Sequence, residues 1–294
     1  MEGIGLVGLG AMGAGMARNI LTRTGALHTV AHRNRAVIDA LVQDGAVEHP
    51  DAADLAQACD ILLLCLPNSE VVEQTITRLR PALRPGHVVV DTGTSALRST
   101  LEISRVLGEM DVQFAEAPLT GGARQAADAQ LGALVGASSG TFARIEPVLS
   151  LFCSTVKHFG PVGAGAQAKF INNYMVMGIA ALVAEAFHAA AESGIDWGDL
   201  YDVVECGSAS SGVLQRIIGN ARHGDFSGYV FSVANAAKDM RYIGEFLGDA
   251  GHATPLSEAV NDFFQRADRQ GHGALRLSEL LRPEIRTQLL PRNG

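Results

Sequence analysis

A lysine and two asparagines in helical register are the residues of this chain best placed to do chemistry. Lys169, Asn172 and Asn173 follow a breaker containing Gly160, Pro161, Gly163 and Gly165, and no glycine recurs until Gly178. That pattern predicts a long helix starting near Gly165 and running to about Ser193. At 3.6 residues per turn, Lys169 and Asn173 share a face, with Asn172 beside it. Burying such groups costs free energy unless a partner meets them, and a cleft that offers a polar ligand would do so. The competing account is a lysine snorkelling to water beside surface asparagines. Helical position alone leaves both open.

A second pattern stands at the other end of the chain. Residues 3–7 form a short apolar strand, Gly8-Leu9-Gly10-Ala11-Met12-Gly13 follows directly, and residues 14–22 have helical spacing. This is GxGxxG between a strand and a helix. Gly8 permits the tight turn, Gly10 lets the backbone approach a pyrophosphate, and Gly13 lets the helix pack closely on the strand. The helix N-terminus at Ala11 and Met12 adds unsatisfied N–H groups and the positive end of the dipole. Glycine turns are common, but this placement points to a dinucleotide. The second strand, Leu27 to Ala31, ends in His32, Arg33, Asn34 and Arg35. An NAD-preferring site places an acid here for the adenosine ribose, and this chain has none. Arg33 can instead pair with a 2′-phosphate and Asn34 can donate to it. The predicted cofactor is NADP, with NAD as the second option. Solvated loop charges are the competing account of Arg33 and Arg35.

The elements that must hold these residues follow from the alternation of apolar strands and helical stretches. Asp60 to Leu66 reads as a buried strand ending at Pro67, and His87 to Asp91 as another, ending near Thr94. A third, Val112 to Ala115, leads into Pro118, Thr120, Gly121 and Gly122, while 131–135 and 155–159 look like the last strands. Such alternation predicts a doubly wound parallel sheet of the Rossmann kind, whose ligands sit at the carboxyl ends of the strands. Leu66, Pro67, Thr94 and Thr120 fall there. Beyond Gly165 the strand signals vanish. Helical patterns cover roughly 166–193, 197–206, 211–220, 230–248 and 255–270. The fold class is therefore α/β: a Rossmann domain over 1–162, then an all-α domain over 163–294 joined through the long helix. The cleft between them is expected against that helix's first turns.

Composition narrows the function. With 294 residues, 47% apolar and 18% charged, the chain suits two packed domains rather than a disordered one. A formal charge of −8 without a basic run argues against nucleic acid as the main partner. The four cysteines (Cys59, Cys65, Cys153, Cys206) show no CxxC pair, as expected of reduced thiols in a cytoplasmic protein. The nine histidines include no metal-ligand cluster, since His28 and His32 fall in a strand and would not converge; no metal is implied. The N-terminal apolar run is broken by glycines and reads as a strand, not a signal peptide. The most apolar helical stretch, 175–184, is interrupted by Glu185 before it could span a bilayer, so no membrane partner is expected.

Together these blocks resemble the β-hydroxyacid dehydrogenase family, which includes 3-hydroxyisobutyrate dehydrogenase, tartronate semialdehyde reductase and the glyoxylate/succinic semialdehyde reductases. Residues 8–19 are close to the family's GLGxMGxxMAxN, and Asp91 to Thr94 to its DxST. Ala117 to Gly122 is similar to APVSGG, Gly163 to Asn173 to GxGxxxKxxNN, and Lys238 to Met240 to KDL. The resemblance implies that Lys169 is the catalytic group, exchanging a proton with the carbonyl oxygen and stabilising the developing alkoxide. It implies that Asn173 binds the substrate hydroxyl or carboxylate, that Thr120, Gly121 and Gly122 hold a carboxylate, and that Thr94 and Lys238 contact the cofactor. By themselves Lys238 and Asp239 read as a solvated surface pair, and Gly121-Gly122 as a plain turn. The implied reaction is hydride transfer between a nicotinamide and a small β-hydroxy acid or its semialdehyde or keto acid, in a homodimer or homotetramer built through the helical domain. Three departures bear on the substrate: Gly93 where relatives have Ser, Ala129-Gln130 where they have Gly-Thr, and Arg276 where they often have an acid. Arg124, just past the glycines, is either a second anion contact or a surface charge. The alternatives are an imine reductase, disfavoured by Lys169, and 6-phosphogluconate dehydrogenase, disfavoured by length and by Asn172. A non-catalytic dinucleotide-binding scaffold would be expected to lose the lysine.

Overall fold

The computed structural model describes residues 2–30, 35–251 and 254–289. Residues Ile4–Val7 form β1, buried at all four positions, as a strand covered on both faces must be. Helix α1, Ala11–Thr24, follows and stops at Gly25, whose left-handed backbone lets its N–H reach the Leu21 carbonyl. The alternation continues through β2 (His28–Val30), α2 (Arg35–Gln43), β3 (Val47–His49), α3 (Ala52–Ala58), β4 (Ile61–Leu64), α4 (Ser69–Leu79), β5 (Val88–Asp91), α5 (Leu97–Gly108) and β6 (Gln113–Glu116). These six strands are parallel in the order β3-β2-β1-β4-β5-β6, the doubly wound arrangement that the alternation predicts. Period-two alternation sorts the strand residues between two cores. Leu6, Leu63 and Val90 face one layer with Ile20 and Phe152. Val7, Leu62, Leu64 and Val89 face the other with Phe114.

Past β6 the sheet departs from the all-parallel expectation. Strand β7 (Leu119–Thr120), α6 (Ala123–Ala127) and β8 (Leu131–Gly136) follow, and β8 runs antiparallel to both β6 and β7. The link over 121–130 holds one short helix and no full crossover, so it can only turn the chain back. Helix α7 (Ser139–Leu149) then returns the chain to β9 (Cys153–Gly160), parallel to β8. Strand β3 has no signature in the sequence because it is three residues long and not fully buried.

Two compact units divide the chain, Met1–Lys169 and Phe170–Gly294, so the first turns of helix α8 (Ala164–Glu192) belong with the sheet. The second unit continues α8 and adds α9 (Trp197–Glu205), α10 (Gly212–Ala221), α11 (Val233–Asp249), α12 (Pro255–Ala267) and α13 (Pro283–Leu289). Its only strand-like pairing among the described residues is the isolated bridge between Ser232 and Arg276. By length and composition α8 could cross a bilayer, with a mean hydropathy of 1.5 in its most apolar window, a property shared by core helices of soluble proteins.

Candidate active site

The crevice of a doubly wound sheet opens where the strand order reverses, here between β1 and β4. Gly8 leaves β1 with φ +103°, and a Cβ there would lie 2.2 Å from the Cys65 carbonyl oxygen at the end of β4. A Cβ on Gly10 would meet nothing within 4 Å, so the backbone of this turn is open to a ligand. Helix α1 starts at Ala11 with no side-chain cap and no acid in its first turn. Its head is free of negative charge and suits a pyrophosphate. Leu66 and Pro67 follow β4, and Thr94 follows β5, so the structure gathers them at the carboxyl edge with the glycine turn. Thr94 sits in a turn that Asp91 organises, with Oδ1 accepting from the Gly93 N–H (2.8 Å) and Oδ2 from Ser95 Oγ (2.6 Å). A Cβ at position 93 would lie 2.9 Å from the Leu66 carbonyl, which gives Gly93 a steric reason where relatives carry Ser. His32, Arg33 and Asn34 lie outside the described residues. Arg35 is ion-paired to Asp39 (2.8 Å) and Glu48 (2.5 Å), so its charge is already met.

Asn19, in the last part of the glycine motif, is a residue whose task the sequence does not show. Its Nδ2 donates to Gly15 O (2.9 Å), Ala126 O (2.9 Å) and Ala127 O (3.2 Å), tying α1 to α6. The dinucleotide helix and the loop at Thr120 are thereby joined. In that loop Thr120 Oγ1 points to the Gly132 carbonyl at 3.5 Å, and Gly121 has φ +109°. The Gly122 N–H donates to Gln125 Oε1 at 3.0 Å, so a carboxylate bound there would have to displace that amide. Arg124 is 91% exposed and sits 3.8 Å from Asp128, a surface charge in this structure.

Lys169 does not snorkel. It is 7% exposed, and its Nζ donates to the Leu119 carbonyl at 2.8 Å, one residue before Thr120. The lysine is thus fastened to the strand that carries the candidate carboxylate loop. Glu116, one residue past the strand expected over 112–115, has no role assigned from the sequence. Glu116 is 2% exposed, and its Oε1 accepts from the N–H groups of Gly163 (2.7 Å), Gly165 (3.0 Å) and Ala166 (3.4 Å). Burial pushes its carboxyl up to about 7, with the N–H groups of Gly163, Glu116 itself, Ala166 and Gly165 pulling the other way.

In the second unit Asn173 is 5% exposed, and its Nδ2 donates to Asp239 Oδ2 at 2.6 Å. Asn172 Nδ2 in turn donates to Asn173 Oδ1 at 3.0 Å. Lys238 Nζ lies 3.2 Å from Asp239 Oδ1, an ion pair out of hydrogen-bond alignment. Asp239 is buried and Lys238 nearly so, which contradicts the solvated surface pair suggested by those two residues alone. Among the described residues two histidines meet; the pair weighed from the sequence includes His32, which lies outside them. His28 Nδ1 lies 2.9 Å from His49 Nε2. No group of three metal-ligating side chains occurs among the described residues.

A glycine turn at the sheet's switch point, with a buried lysine held to β7, defines a dinucleotide-dependent oxidoreductase. The profile for the NAD binding domain of 6-phosphogluconate dehydrogenase matches residues 3–160, and that for the NAD-binding domain of NADP-dependent 3-hydroxyisobutyrate dehydrogenase matches 163–283. The 2-(hydroxymethyl)glutarate dehydrogenase of Eubacterium barkeri is 29% identical over 95% of this chain and 93% of its own. The structure of Mycobacterium tuberculosis 3-hydroxyisobutyrate dehydrogenase with L-serine superposes with a TM-score of 0.85 at 25% identity, covering 96% of this chain and 98% of the other. That of Psf3 with NADP+ and 2-OPP gives 0.84 at 25%, covering 95% and 98%. The chain belongs to the β-hydroxyacid dehydrogenase family and is an NAD(P)-dependent hydroxyacid dehydrogenase.

Proposed function

We propose that the protein interconverts a small β-hydroxy acid and its semialdehyde or keto acid, prefers NADP, and uses Lys169 as general acid and base. The observation that carries this reading is the placement of Lys169 Nζ, buried and 2.8 Å from the Leu119 carbonyl beside Thr120. A lysine held there can release a proton to a carbonyl oxygen during reduction and recover it during oxidation, while its charge opposes the growing alkoxide. A bound nicotinamide supplies or accepts the hydride. Gly8, Gly10, Ala11, Met12 and Gly13 would hold its pyrophosphate, with Leu66, Pro67 and Thr94 beside it. Lys238 is assigned to the cofactor on the family pattern alone. Thr120 and Gly121 would orient the substrate carboxylate, and Asn173, on the same helix face as Lys169, its hydroxyl.

The NADP preference rests on Arg33 and Asn34, supported by the absence of an acid after β2 and by the ion pairs that already occupy Arg35. A solved relative holds NADP+. Cytoplasmic placement is consistent with four free thiols, and assembly into a dimer or tetramer through the helical domain follows the family resemblance. The proposed ligands are a small carboxylate and a dinucleotide, with neither nucleic acid nor membrane as partner. Lys169→Ala tests the chemistry. Turnover should fall by roughly 10²-fold or more while NADPH affinity holds, since acid–base catalysis supplies about 10²–10⁴. Near-parental kcat in that variant would remove Lys169 from the role.

A further inference from the structure

Helix α8 opens without a local cap. From Gly160 to Gly165 no Ser, Thr, Asp or Asn is available to accept its first N–H groups. Glu116 takes that place from across the sheet, with one oxygen receiving the N–H of Gly163, just before the helix, and those of Gly165 and Ala166 within its first turn. The surroundings are shaped to it. A Cβ on Gly136 would lie 1.9 Å from Glu116 Oε1, and one on Gly165 would lie 2.4 Å from the Leu134 carbonyl. The head of α8 therefore rests directly on the β8 backbone, with the carboxyl between them. Three residues past Glu116, the same stretch supplies the Leu119 carbonyl that receives Lys169 Nζ. Residues 116–119 thus pin both the first turn of α8 and the side chain that leaves it.

We infer that Glu116 is a positioning residue for Lys169, holding the head of α8 so that the ammonium stands at the reacting oxygen. The inference rests on Lys169 being the proton-exchanging group. Glu116 is buried and its partners are backbone N–H groups, so it acts through the turn it fastens. What it supplies is an acceptor at a set reach, not a negative charge, and this separates it from an electrostatic role. A side chain of the same length with an amide oxygen replaces it. One shortened by a single methylene, about 1.5 Å, keeps the charge and loses the contact.

The test compares Glu116→Gln, Glu116→Asp and Lys169→Ala. Turnover is assayed with NADP+ and 3-hydroxyisobutyrate, L-threonate and 2-(hydroxymethyl)glutarate, and amide hydrogen exchange over 160–170 is followed as a readout that needs no substrate. Glu116→Gln should keep kcat and exchange protection near the parent. Glu116→Asp should lose roughly 10- to 100-fold in kcat with NADP+ affinity unchanged, because misplacement of a catalytic group by about 1 Å costs that much. It should also expose the amides of Gly163, Gly165 and Ala166. Adding Glu116→Asp to Lys169→Ala should lower the residual rate no further, since both act on one group. An Asp variant that matches or exceeds the Gln variant, or one whose amides stay protected, overturns the inference and leaves Lys169 in its role. Full turnover in Lys169→Ala overturns the acid–base assignment and this inference with it.

Discussion

Glu116 gives the protein a pH-dependent stability whose sign is opposite to that of most carboxylates. Its carboxyl is buried at 2% exposure and pushed from an ordinary 4.5 up to about 7. A folded value above the unfolded one means that the native state holds the proton more tightly between those limits. Stability from this group is therefore complete below about pH 4.5 and lost as pH rises through 7. At about 1.4 kcal/mol per pH unit, the interval amounts to roughly 3 kcal/mol, and burial leaves little solvent screening to discount. Glu116→Gln does not titrate, so subtracting the two proteins cancels every other ionisable group. Urea denaturation of both, followed by far-UV circular dichroism from pH 4.5 to 8, should show the parent losing about 3 kcal/mol relative to the variant. Most of the change should fall between pH 5 and 7. A difference that stays flat, or one in which the parent gains on the variant as pH rises, would refute the account of a carboxyl desolvated under α8.

Arg33→Ala should weaken NADPH binding by roughly 10- to 100-fold and leave NADH nearly unchanged, the loss of a charge-assisted contact worth about 1.5–3 kcal/mol; equal losses, measured by fluorescence titration, count against NADP preference. Asn173→Asp replaces the amide donor that meets Asp239 at 2.6 Å with a second carboxyl, so it should destabilise the protein more than Asn173→Ala does, by about 1 kcal/mol or more, and thermal melting in the opposite order would count against that contact. Methyl esters of any active hydroxy acid should show a lower kcat/KM than the free acids if Thr120 and Gly121 hold a carboxylate, whereas parity would dismiss that loop. Arg124, exposed and beside Asp128, should be replaceable by Ala with no change in the preference between mono- and dicarboxylates.

What the sequence determined by itself was everything carried by short-range pattern. The turn from Gly8 to Gly13 is legible because its geometry is imposed by residues within one strand–turn–helix. The α/β alternation and the helices of the second unit are legible because burial on both faces, or on one stripe, repeats with a fixed local period. That Lys169 and Asn173 share a face needs only the helical pitch. Their partners are another matter. The Leu119 carbonyl lies 50 residues from Lys169, Asp239 lies 66 from Asn173, and Glu116 lies 47 from Gly163. No local pattern reports such pairings, because the free energy that favours them exists only once the chain has closed and water has been excluded. For the same reason Lys238 and Asp239 read as a surface pair until the tertiary structure buries them. The reversed direction of β8 was likewise undecidable from its apolar run, since burial on both faces looks alike whichever way a strand points. Glu116 is the sharpest case: a single acid at a strand end, assigned its work only by the helix that folding lays over it.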